Sequence, residues 1–69
     1  MTIKPRQRAT SDAQKQQRRA AVLTAAQDLF VKAGFFDVSM SMIAARAGVA
    51  KGTVYIYFET KEDIFLELS

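Results

Sequence analysis

Cysteine and histidine are both absent from this chain, which removes any disulfide frame and the usual zinc ligand sets. Proline occurs once and glycine three times, in a composition 49% apolar and 25% charged, which marks a globular chain. No apolar run approaches the roughly 18 residues that span a bilayer, and the N-terminus lacks the apolar centre of a signal peptide. The expected location is cytoplasmic, with no membrane partner. Enzyme chemistry is also poorly provided for. Without histidine or cysteine, a phosphate-cradling glycine loop or a carboxylate pair set for a pocket, neither catalysis nor a cofactor is expected. Sixty-nine residues allow one small domain that buries only about 60% of the surface its unfolded chain exposes. A core of three helices, or help from a partner, is what remains to hold it.

What is present is unevenly distributed. The net charge of +3 conceals a gradient: residues 1–20 carry Lys4, Arg6, Arg8, Lys15, Arg18 and Arg19 against Asp12, while residues 59–69 carry Glu59, Glu62, Asp63 and Glu67 against Lys61. The basic end points to a polyanion partner, although a solvated tail would look the same.

Residues 1–11 have a proline, polar residues and basic residues without periodicity, so a flexible basic arm is expected there, followed by a folded domain over 12–69. Val22, Ala25, Ala26, Leu29, Phe30 and Ala33 recur at spacings of three and four, which predicts a helix near 13–33 ended by Gly34. Ser39 offers an N-cap for a second helix near 40–47, with Met40, Ile43, Ala44 and Ala47 on one face and Gly48 at its end. Thr60-Lys61-Glu62-Asp63 has the form of a capping box and begins a helix from 61 onward, with Ile64, Phe65 and Leu68 on its apolar side. A start signal without a stop signal leads to the expectation that this helix continues and that the chain is the first domain of a longer protein.

The segment Thr53-Val54-Tyr55-Ile56-Tyr57-Phe58 is β-branched and aromatic, and propensity alone would make it a strand. No other segment reads as a partner strand, and a lone edge would leave its backbone unpaired. A helix near 51–57 is therefore predicted by elimination. In that form Val54, Tyr57 and Phe58 share a face that can pack on Ile43, Ala44 and Val49. Lys51, Gly52, Thr53, Tyr55 and Ile56 fall largely elsewhere. That outward set is poor in the Glu, Lys and Gln of a solvated face and suits phosphates and base edges, including the thymine methyl. Two short helices joined by a glycine-containing turn form the helix-turn-helix pattern, whose second helix enters a major groove about 12 Å wide. Gly52, lacking a Cβ, would let the backbone approach the duplex.

These residues resemble a known family. Gly34-Phe35, Ser39, Ile43 through Val49, Lys51 through Tyr55, Tyr57-Phe58 and Lys61-Glu62 are similar to the N-terminal DNA-binding domain of TetR/AcrR-type transcriptional regulators. The resemblance runs from about Arg19 to Leu68. It implies an all-α fold, a three-helix helix-turn-helix domain plus the start of a fourth helix. It also implies a homodimeric repressor of a double-stranded DNA operator, with a C-terminal domain, absent from this chain, that dimerises and binds a small-molecule effector. Alone, the chain is expected to be monomeric. Carried onto matching positions, the family roles make Lys51, Gly52, Thr53 and Tyr55 groove or backbone contacts, Ser39 a phosphate contact and Lys61 another. Two positions depart from the pattern. Ala50 stands where serine is frequent, so a hydroxyl cap is lost, and Ile56 stands where many relatives are polar or aromatic, so a contact there would be apolar.

Each position also has a plainer reading. Ser39 caps a helix whether or not it touches phosphate, Tyr57 reads as core before contact, and Arg18 and Arg19 are unspecific phosphate neighbours. Met40 reads as core, and Met42 is open between the two. The main alternative function is a helical protein-interaction module, and a basic helix on an anionic membrane is third. Salt-sensitive duplex binding without lipid binding separates them.

Overall fold

The computed structural model describes the backbone of residues 3–69 and the side chains from residue 12. Four helices follow one another: α1 (Ile3–Ala33), α2 (Met40–Ala47), α3 (Lys51–Tyr57) and α4 (Lys61–Leu68), with a 3-10 turn at Phe35–Asp37 between α1 and α2. There is no strand among the described residues, and Thr53 to Tyr57 are helical as elimination required.

One boundary differs from expectation. Helix α1 begins at Ile3, not near residue 13, so most of the stretch assigned to a flexible arm is helical backbone. Lys4, Arg6, Gln7, Arg8 and Ala9 in that stretch carry helices readily without an apolar stripe. Pro5 falls in the first turn, where its missing N–H would have had no partner. Residues 1 and 2 of the arm lie outside the described residues.

The core is small and drawn from every helix. Val22, Ala25 and Ala26 of α1, Ile43 and Ala44 of α2, Val54 of α3 and Ile64 of α4 are buried, together with Val38 and Phe58 from the connections. Leu29, Phe30, Met40, Ala47, Val49, Tyr57 and Leu68 pack around them, half-buried, whereas Ala33 of the expected stripe is exposed. Alanines at 25, 26 and 44 let α1 and α2 approach closely. Full burial of each valine or isoleucine contributes about 1.5–3 kcal/mol, so this handful of side chains determines whether the domain folds.

Local signals set the helix ends. Ser39 Oγ accepts the Met42 amide at 3.1 Å to start α2. Gly48, at φ 76°, closes α2: its own amide reaches Ala45 O at 3.3 Å and the Val49 amide reaches Ala44 O at 3.0 Å, the paired bonds of a Schellman motif. Thr60 Oγ1 accepts the Asp63 amide at 3.2 Å to start α4, whose first turn carries Glu62 and Asp63 where the helix dipole favours them.

Candidate nucleic-acid interface

Helix α3 is fixed from beneath and bare above. Val54 is fully buried against α1 and α2, and Phe58, just past the helix, is 6% exposed. Helical spacing then turns the residues on the opposite side of α3 outward. Lys51, Gly52, Tyr55 and Ile56 are exposed, Ile56 to 75%, an unusual exposure for a branched alkyl side chain on an otherwise well-packed helix. Positions 51 and 55 stack as i and i+4, and so do 52 and 56. In the first column the Lys51 ammonium lies 5.9 Å from the Tyr55 ring centroid. In the second, a Cβ built on Gly52 would meet nothing within 4 Å, so this glycine is not required by packing inside the domain.

The other residues singled out on α3 divide. Thr53 is half-buried at the edge of the outward face. Tyr57 is half-buried and packs against the core, which favours its plainer reading. Ala50, the N-cap, is exposed and supplies no side-chain hydrogen bond, so the helix starts only on the Thr53 and Val54 amides reaching Ala50 O at 2.9 and 3.4 Å.

Ser39 is exposed at the start of α2 with its hydroxyl engaged as the cap. Lys61 and Arg19 are placed otherwise than a pair of free phosphate ligands would be. The Lys61 ammonium donates to the carbonyls of Phe35 at 2.7 Å, Val38 at 2.9 Å and Phe36 at 3.3 Å, and lies 4.5 Å from the Phe35 ring centroid. Its three donors are all taken. Arg19 reaches Glu67 at 3.0 Å and lies over the Phe58 ring, which ties α1 to α4 and to the end of α3.

Sequence reasoning passed over Arg46. It pairs with Asp28, which also faces Lys32 at 3.5 Å, so one carboxylate on α1 holds α2 through Arg46. Only the Asp28–Lys32 spacing of four was visible in the sequence. Phe36, 90% exposed on the connection, was also passed over. Among the described residues, no helix is long and apolar enough to cross a membrane.

Comparison with known proteins agrees with this geometry. A family model described as bacterial regulatory proteins, tetR family, matches residues 22–68. The chain is 40% identical over 55 residues to the fatty acid metabolism regulator protein of Bacillus subtilis, covering 80% of this chain and 28% of that protein. It is 43% identical over 47 residues to the HTH-type transcriptional repressor BepR of Brucella suis, covering 68% and 22%. It is 40% identical over 50 residues to the HTH-type transcriptional activator FasR of Mycolicibacterium smegmatis, covering 72% and 23%. The chain thus spans about a quarter of the length of these relatives. No solved structure matches it significantly.

Proposed function

This chain belongs to the tetR family of bacterial regulatory proteins and is a DNA-binding helix-turn-helix regulator domain, and on that premise we propose that the outward face of α3 reads a specific operator sequence. The observation that carries the reading is the exposed set Lys51, Gly52, Tyr55 and Ile56 above a fully buried Val54. A cation, a bare backbone, a phenol and an alkyl group on one short helix can meet phosphates, base edges and a thymine methyl inside a major groove. Thr53, at the edge of that face, adds a hydroxyl and a methyl. Ala50 approaches the backbone without supplying a hydroxyl. Ser39 meets a phosphate from the start of α2, and Tyr57 and Arg19 support the surface from within.

In its natural setting the domain acts as one half of a homodimeric repressor in the cytoplasm, released from its operator by a small molecule bound elsewhere in the protein. The support for this is the family, together with a relative named as a repressor. Two such domains on one palindromic site gain affinity by linkage, so one domain alone binds a half-site weakly.

The test is a titration of the wild type, Thr53→Ala and Tyr55→Ala against a duplex selected from a random pool and a scrambled duplex, at several salt concentrations. Each substitution is expected to cost roughly 1–3 kcal/mol on the selected duplex and less on the scrambled one. An unchanged ratio in both variants would remove sequence readout from these two side chains.

A further inference from the structure

We propose that Lys61 is a positioning residue: its ammonium clasps the carbonyls of Phe35, Phe36 and Val38, fixing the start of α2 and thereby the presentation of Ser39 to DNA, and it makes no phosphate contact itself. The inference rests on the DNA-binding reading and adds the means by which α4 holds the site.

An ammonium has three donors, and here three carbonyl oxygens receive them at 2.7, 2.9 and 3.3 Å. A phosphate contact would have to break at least one of these bonds. One of the carbonyls needs the cation in turn. Val38 O accepts no backbone N–H among the described residues, and a part-buried carbonyl beside the buried Val38 side chain requires a partner. Lys61 is also the first residue of α4, where the helix dipole opposes a cation. Three carbonyl oxygens and the face of the Phe35 ring offset that repulsion.

The grip is transmitted through one peptide group. Val38 O, held by Lys61, belongs to the peptide that continues into Ser39, and the Val38 side chain is 2% exposed, so this peptide is held from both sides. Ser39 then caps α2 through Met42. The first residue of α4 and the N-cap of α2 therefore share a single fixed peptide plane, held by a bond that spans 23 positions from Lys61 to Val38.

Lys61→Met keeps the stem and removes the three donors. The wild type, Lys61→Met, Ser39→Ala and the double variant are titrated against the selected and scrambled duplexes over a salt series, at a temperature where circular dichroism shows all four folded. Lys61→Met is expected to lose roughly three- to tenfold in affinity equally on both duplexes, the effect of a weakened hydrogen bond to a charged acceptor. The dependence of log affinity on log salt should stay as in the wild type, and the loss should be less than additive with Ser39→Ala. A slope reduced by about 0.9, the signature of one phosphate-neutralising cation, or full additivity, would overturn the proposal. Should Lys61→Met fail to fold, nitrogen-15 NMR of the wild-type lysine ammonium decides the matter. Couplings across hydrogen bonds from Lys61 Nζ to the Phe35 and Val38 carbonyls should persist when the selected duplex is added, and their replacement by coupling to phosphorus would overturn it. Absence of any duplex binding by the wild type would instead sink the DNA reading itself.

Discussion

The guanidinium of Arg19 stands 5.0 Å from the ring centroid of Phe58, so a basic side chain that the charge gradient marks for DNA covers the hydrophobic end of α3. Its second contact, to Glu67, closes α1 against α4. Both partners of that ion pair are near half exposed, so the pair itself contributes little, and the ring contact carries most of the effect.

Arg19→Ala should therefore lower stability by about 1 kcal/mol, and Arg19→Lys should recover only part of it, because an ammonium does not stack as a planar guanidinium does. Urea denaturation of the three proteins checks this. Equal midpoints would show that the packing over Phe58 is idle.

Gly52→Ala should move stability and binding in opposite directions. The residue is helical, and a Cβ there meets nothing in the domain, so the substitution should stabilise by about 0.5–1 kcal/mol. The same methyl would stand between the backbone and a duplex, so affinity should fall. Thermal melting and a duplex titration on one preparation test both halves, and an alanine variant that binds as well as the wild type would show that no close approach occurs at this position.

Gly48→Ala should destabilise without binding consequences of its own. Space is open around the position, so the effect comes wholly from forcing an L side chain into φ 76°, about 1–2 kcal/mol. A denaturant midpoint unchanged from wild type would mean that the turn can relax to another conformation.

Ile56→Ser should leave stability within about 0.5 kcal/mol, as expected for an exposed position, yet weaken binding wherever Ile56 rests on a thymine methyl. Replacing thymines of the selected duplex by deoxyuridine, one at a time, removes that methyl. At the relevant position the replacement should weaken the wild type and leave Ile56→Ser unaffected. Were every uracil to affect both proteins alike, Ile56 would have no apolar base contact.

Features encoded by near neighbours were legible in the sequence. Ser39, Gly48 and Thr60 set helix ends through bonds to residues three to five positions away, and those ends fall where expected. The helical state of Thr53 to Tyr57 was legible for a different reason. Its local propensity points the other way, and only the lack of a partner strand decided it. Contacts made by long side chains across the fold were not legible. Lys61 meets carbonyls 23 to 26 positions back, and Arg46 meets Asp28, through backbone approaches that no spacing announces. For the same reason the sequence, which gives Lys61 as a phosphate contact and Arg19 as an unspecific phosphate neighbour, does not announce that both are engaged within the domain. The start of α1 was missed because a helix without an apolar face has no period to detect.

The placement of the two tyrosines has a spectroscopic consequence. The chain has no tryptophan, and its tyrosines, Tyr55 and Tyr57, both stand on α3, one on the outward face and one against the core. The phenols dominate the emission of an unlabelled sample excited near 280 nm, so the helix proposed to enter the groove carries its own optical reporter. Tyr55 senses what lies above the helix and Tyr57 what lies below. In the Tyr55→Phe protein the remaining signal follows the packing of α3 alone, and in Tyr57→Phe it follows the outward surface alone. A titration with duplex can thus be watched from either side of a single seven-residue helix.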